Sequence, residues 1–243
     1  MNSEPVPWPK MMTIGTTLRC NLRCRMCWNY ARDATQEREM DFELYKKIGE
    51  ECFPHIERVE LSVAGEPMMS SHFREELELV MKYPVKLGLL TNCTMLEDDA
   101  ILGLVCHSVY TLKLALDGAT AKTYESIRVG ANFEKVITGL KKLHKLREAT
   151  GLPKELNYSF VAMKRNVHEL PEWIDLVYSL GATCAEIRPV MLGQYTAPSL
   201  KEELLENCPD TARHYLKLAI ERAKTLGLRV YLDAIRFFLP EEL

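Results

Sequence analysis

The sequence predicts an α/β fold in which parallel strands curve into a partial (β/α)6 barrel, followed by a C-terminal extension of helix and strand. Three observations lead there. Between Met11 and Val190, apolar segments of strand length alternate with segments whose apolar residues recur at the helical period, giving six strand-first units in succession. The strand segments are apolar on both faces, as parallel strands covered by helices are. Polar clusters fall at the carboxyl ends of these strands, where parallel α/β folds place their sites.

Each element follows from local chemistry. Pro5, Pro7 and Pro9 cannot continue regular hydrogen bonding, so residues 1–10 read as an N-terminal tail. Met11 to Leu18 is the first expected strand and runs into a cysteine-bearing loop. Asp41 then starts a short helix carrying Phe42, Tyr45 and Ile48, and Arg58 to Val63 is the second strand. The pattern repeats with a helix from His72 to Lys82, a strand from Val85 to Leu90, a helix from Leu96 to Cys106 and a strand from Val109 to Leu116. In the helix from Phe133 to Glu148, Phe133, Val136, Ile137, Leu140 and Leu143 share one stripe, and Gly151 and Pro153 end it. A strand from Leu156 to Met163, a helix from Leu170 to Leu180 and a strand from Cys184 to Val190 complete a core domain over residues 11–192. Residues 193–243 read as a helical extension, broken near Pro209 and carrying a short strand from Arg229 to Leu232. Its uncapped apolar ending, Phe237-Phe238-Leu239-Pro240, reads as a chain cut before a further domain.

Composition narrows the function. In 243 residues, 47% hydrophobic and 27% charged content supports a sizeable core. A formal net charge of −3 gives no electrostatic reason to favour nucleic acid as a partner. No apolar run approaches the ~18 residues that span a bilayer, and the first residues lack the basic and apolar regions of a signal peptide. The expectation is a cytoplasmic protein without a membrane partner. In that reducing compartment its eight cysteines would remain thiols. Cys52, Cys93, Cys106, Cys184 and Cys208 are scattered and read as small buried hydrophobes, whereas Cys20, Cys24 and Cys27 are clustered.

That cluster has the spacing C-x3-C-x2-C, which lets three thiolates converge from one loop. A structural zinc site closes with four protein ligands, while a four-iron cluster held by three cysteines leaves one iron open. His55 or a distant cysteine would complete a zinc site, and Arg19, Arg23 and Arg25 would offset thiolate charge in either case. On the cysteines alone both readings stand.

C-x3-C-x2-C after a first strand resembles the signature of the radical S-adenosylmethionine (radical SAM) superfamily. Further motifs are similar to that family's: Ala64-Gly65-Glu66-Pro67 after the second strand, Thr91-Asn92 after the third, Ala115-Leu116-Asp117-Gly118 after the fourth, and Tyr124-Glu125-Ser126-Ile127-Arg128 beyond it. The resemblance covers Met11 to Val190 and implies a TIM-barrel-like core in an enzyme of oxidoreductase or maturase type. It implies that Cys20, Cys24 and Cys27 hold a [4Fe-4S] cluster whose open iron is chelated by the methionine part of S-adenosylmethionine. Reduction then cleaves the sulfonium, and a 5′-deoxyadenosyl radical takes a substrate hydrogen. The cofactor pocket it implies has Met26 and Trp28 near the adenine, with backbone around Val190 opposite. Gly65, Glu66 and Pro67 fall at the methionine amino group, Asn92 and Arg188 face ribose or substrate, Asp117 joins the cofactor pocket through its strand-end motif, and Arg128 binds the carboxylate. Three positions depart from the family pattern: Met26 replaces an aromatic residue, Ala64 a glycine and Ala115 a serine.

The motif order resembles the peptide-modifying and cofactor-maturing (SPASM-type) branch without its auxiliary-cluster extension, since no cysteine follows Cys208. The implied partners are S-adenosylmethionine, a small-molecule or peptide substrate, and an electron donor such as flavodoxin or ferredoxin. Cys93 at a strand mouth is a candidate hydrogen donor. Two alternatives stand beside this reading. One is a non-catalytic zinc- or cluster-binding module in which Glu66, Asp117 and Arg128 are scaffold groups. The other is a domain that binds both cofactors without turnover, motivated by Ala64 and Ala115.

Overall fold

The computed structural model describes residues 7–27, 30, 38–62, 64–193, 196–232 and 235. Its strands are β1 (Met11–Ile14), β2 (Arg58–Leu61), β3 (Lys86–Thr91), β4 (Thr111–Ala115), β5 (Glu155–Ala162), β6 (Cys184–Pro189) and β7 (Arg229–Leu232). They form one seven-stranded sheet in sequence order, and every neighbouring pair is parallel. Parallel neighbours need a crossover between them. Helices α1 (Phe42–Cys52), α2 (Phe73–Val80), α3 (Asp99–Ser108), α4 (Ala121–Ile127), α5 (Phe133–Thr150), α6 (Leu170–Ser179) and α7 (Pro209–Leu226) supply those crossovers. The sheet is an open barrel, with β1 and β7 at its two edges.

Side-chain alternation divides each strand between two faces. Val59, Leu61, Leu87, Leu89, Leu112, Leu114, Tyr158, Phe160 and Ile187 are buried and belong to the hydrophobic core beneath the helices. Truncating one such leucine to alanine costs roughly 2–5 kcal/mol. The intervening residues face the concave side, which carries Glu60, Lys113, Asn157, Glu186 and Arg188. Gly88 makes room there: a Cβ on it would lie 2.9 Å from Glu60 Cγ. The Glu60 side chain passes over β3 at that point and reaches Lys113 Nζ at 3.1 Å.

Several boundaries differ from expectation for identifiable reasons. β1 stops at Ile14 because the next residues pair elsewhere: Met40 N–H donates to Thr16 O at 2.7 Å and Leu18 N–H to Arg38 O at 2.8 Å. α3 starts at Asp99 rather than Leu96, since the Asp98 carboxylate caps it by accepting from Ala100 and Ile101 N–H at 2.8 and 3.1 Å. α4, absent from the sequence reading, is a short helix capped by Thr120, whose Oγ1 accepts from Thr123 N–H at 3.3 Å. β7 pairs with β6, so α7 and β7 continue the βα alternation into a seventh strand. Among the described residues, no helix is long and apolar enough to cross a membrane.

Candidate cofactor site

The cysteine loop leaves β1 and is shaped chiefly by main-chain bonds. Arg23 N–H donates to Val129 O at 2.9 Å and Arg25 N–H to Ile127 O at 3.0 Å, two rungs that dock the loop on the end of α4 and the residues just after it. Cys27 N–H donates to Cys24 O at 3.0 Å and closes the turn between those thiols. On the other side, Glu66 N–H donates to Arg19 O at 2.8 Å. Gly65 permits this approach, since a Cβ there would lie 2.5 Å from Thr17 O and 2.6 Å from Arg19 O. These are backbone atoms that cannot swing aside, so the glycine serves the chain's own packing.

Cys20, Cys24 and Cys27 all line one cavity of about 560 Å³. Small-molecule sites typically enclose roughly 300–1,000 Å³. Met26, Gly65, Glu66, Asn92, Arg128 and Val190 share its wall, and Arg188 joins them. Trp28 lies outside the described residues. Pro67 and Asp117 do not reach the cavity. Pro67 is buried as the first residue of a 3-10 turn, and Asp117 is fully enclosed, accepting from Arg128 Nε at 2.6 Å and Val161 N–H at 2.7 Å. Its place is behind Arg128, which it orients. The sequence reading omitted Tyr30, Ser62, Val161 and the Met191–Gly193 stretch, all on the wall. Strand alternation would have supplied Ser62 and Val161, which continue the concave positions of β2 and β5.

The polar groups are tightly tied. Glu66 Oε1 accepts from Thr91 Oγ1 at 2.8 Å, and Oε2 from Asn92 N–H at 2.7 Å. Burial nonetheless pushes the Glu66 carboxyl up to about 7, against the pull of these bonds. Burial also raises the Cys20 thiol and pushes Cys24 up to about 12, the latter opposed by Arg128. Each of these two sulfurs faces a nitrogen donor: Asn92 Nδ2 is 3.7 Å from Cys20 Sγ, and Arg128 Nη1 is 3.8 Å from Cys24 Sγ. Cys93 is buried away from the cavity, its thiol directed at Thr91 O at 3.7 Å.

The donor set fits an iron–sulfur centre. Three thiols from one loop share a cavity, and nitrogen donors face Cys20 and Cys24. Among the described residues, no three His, Cys, Asp or Glu side chains are grouped to hold a single ion. His55 stacks on Trp8 with ring centroids 4.6 Å apart.

The family model of the radical SAM superfamily matches residues 14–177. The chain belongs to the radical SAM superfamily. Members of that superfamily use a [4Fe-4S] cluster and S-adenosylmethionine. One relative, the tungsten-containing aldehyde ferredoxin oxidoreductase cofactor-modifying protein of Pyrococcus furiosus, is 31% identical over 179 residues, 71% of this chain and 49% of its own length. Streptococcus suis SuiB bound to S-adenosylmethionine superposes with a TM-score of 0.74 at 15% identity, over 93% of this chain and 50% of SuiB. SuiB bound to its precursor peptide SuiA gives the same TM-score and identity, over 94% and 50%. At that identity the likeness concerns the fold. The chain spans about half the length of the proteins it matches here.

Proposed function

We propose that this chain is the catalytic core of a radical SAM enzyme that binds a [4Fe-4S] cluster through Cys20, Cys24 and Cys27, with S-adenosylmethionine in the adjoining cavity. The observation that carries the reading is the convergence of those three thiols with Glu66, Asn92 and Arg128 on one cavity at the strand carboxyl ends. When bound and reduced by one electron, the two cofactors supply a 5′-deoxyadenosyl radical that takes a hydrogen atom from substrate. The chain binds and orients. Arg128, fixed through Nε by Asp117, presents the rest of its guanidinium to an anionic carboxylate. With Ala115 on the wall in place of a hydroxyl residue, Arg128 carries that contact alone. Glu66 is poised near 7, so an ammonium group in the cavity draws it to its charged form. Met26 and Val190 supply apolar wall for the adenine, and exposed Met191 and Leu192 form an apolar rim where substrate enters.

The substrate is a small molecule or a peptide. The SuiB–SuiA structure supports a peptide, and the Pyrococcus relative supports a cofactor precursor. On this reading the electron comes from a donor such as flavodoxin or ferredoxin, in the cytoplasm. Anaerobic reconstitution tests the reading. Four irons per chain and reductant-dependent 5′-deoxyadenosine are expected, with both lost when any of Cys20, Cys24 or Cys27 is replaced by Ala. Stoichiometric zinc with two or fewer irons, or no 5′-deoxyadenosine from fully loaded protein, would overturn it.

A further inference from the structure

Asn92 stands at the end of β3 with its side chain committed at both ends. Its Oδ1 accepts from Thr94 Oγ1 at 2.6 Å and from Thr94 N–H at 3.0 Å. Its Nδ2 donates to Asn21 Oδ1 at 2.9 Å, and Asn21 Nδ2 donates to Thr94 Oγ1 at 2.8 Å, closing a three-residue ring. The ring sets which way the amide faces, because only the oxygen can receive the Thr94 donors. The backbone prepares this geometry: Cys93 adopts a φ of 70°, a left-handed turn held by a bond from its own N–H to Thr91 Oγ1 at 3.0 Å. A primary amide has two N–H groups. One serves Asn21, and Nδ2 also stands 3.7 Å from Cys20 Sγ.

We infer that Asn92 tunes the cluster: its amide donates an N–H···S bond to the Cys20 ligand and raises the reduction potential of the bound [4Fe-4S] centre. This rests on the assignment of Cys20 as a ligand. Adding an electron makes a thiolate-held cluster more negative, and a donor directed at a ligand sulfur stabilises that state more than the oxidised one. Asn92 thereby acts on the electron-transfer half of the chemistry, not on ribose or substrate as its motif implies. Arg128, at the end of α4, offers Cys24 a donor at 3.8 Å, so Cys20 and Cys24 are served from different elements of the fold.

The test is a potentiometric titration of anaerobically reconstituted protein without substrate, followed by the electron paramagnetic resonance of the reduced cluster. Asn92→Ala should keep four irons and move the midpoint to a more negative potential. Asn21→Ala, which frees the amide from its ring, should move it less in the same direction. In wild-type protein, electron–nuclear double resonance should detect an exchangeable proton coupled to the cluster that Asn92→Ala lacks. An unchanged midpoint in a four-iron Asn92→Ala protein overturns the inference. So does loss of the cluster from both variants, which would make Asn92 a brace for the loop. A wild-type protein that holds fewer than four irons overturns the ligand assignment and this inference with it.

Discussion

Glu66, after β2, and Glu169, in the 3-10 turn after β5, are both buried carboxylates held by neutral donors of their own chain. Glu169 accepts from Thr120 Oγ1 and Ala119 N–H, each at 2.7 Å, and from Thr120 N–H at 3.2 Å, at the start of α4. Burial raises its carboxyl, yet bonds from Thr120, Thr123 and the backbone of Ala119 and Thr120 outweigh that and hold it below the ordinary value. Glu66 is enclosed more completely, and there burial prevails. One glutamate is a fixed anion pinning α4 to the sheet. The other, on the cavity wall, sits where a cofactor can decide its charge. The comparison separates scaffold from site within a single rim of strand ends.

The variant that cuts across both regions should have the largest effect. Arg128→Met leaves fully buried Asp117 as an unpaired charge, and removing one partner of a buried pair costs roughly 3–5 kcal/mol. Urea unfolding should show that loss, and S-adenosylmethionine binding should fall with it. A stable variant with normal binding would dissolve the link between the regions.

The pH dependence of stability in cofactor-free protein should sharpen the contrast. Glu66 titrates near 7 when folded and near its ordinary 4.5 when unfolded, so between those values the folded state binds more protons. Its contribution is complete below about 4.5 and is lost as pH rises through about 7, a difference of roughly 3 kcal/mol. Glu169 is depressed, so its contribution is present above the ordinary carboxylate value and lost as pH falls through its folded one. Glu66→Gln should flatten stability on the neutral side, and Glu169→Gln on the acid side. The same limb lost in both variants would erase the distinction.

The smallest effect should come from Thr120→Ala. It removes the α4 cap and one bond to Glu169, at about 1 kcal/mol, leaving cofactor binding unchanged. Altered binding would extend the site into the scaffold.

Much of this rim was legible in the sequence because strand-length apolar segments alternate with helix-period ones, although the polar concave residues Glu60, Lys113 and Arg188 correct the expectation that the strands are apolar on both faces. Leu87 and Leu89, or Val59 and Leu61, mark their strands without any partner in view, and the cysteines and Glu66 announce themselves just beyond. α4 escaped notice because seven residues with two buried side chains leave little periodicity to read. Asp117 was placed with the cofactor because its motif sits at a strand end. Only packing reveals that it faces Arg128 and the Val161 N–H instead. Asn92 was recognised as a site residue but assigned to ribose or substrate, since its bond to Asn21 spans 71 positions of chain and its approach to Cys20 Sγ spans 72.

The main-chain rungs from Arg23 to Val129 and from Arg25 to Ile127 bear on what the cysteine loop does without its proposed cluster. A loop whose path is set by backbone bonds keeps that path when its sulfurs are empty. The ordering cost of about 1–2 kcal/mol per residue is then met once, during folding, and not again at each loading. Loss of the proposed cluster is expected to leave a folded chain with the three thiols still on one cavity wall. Such a protein is refilled in place, where one that folds around its metal must refold at each loading.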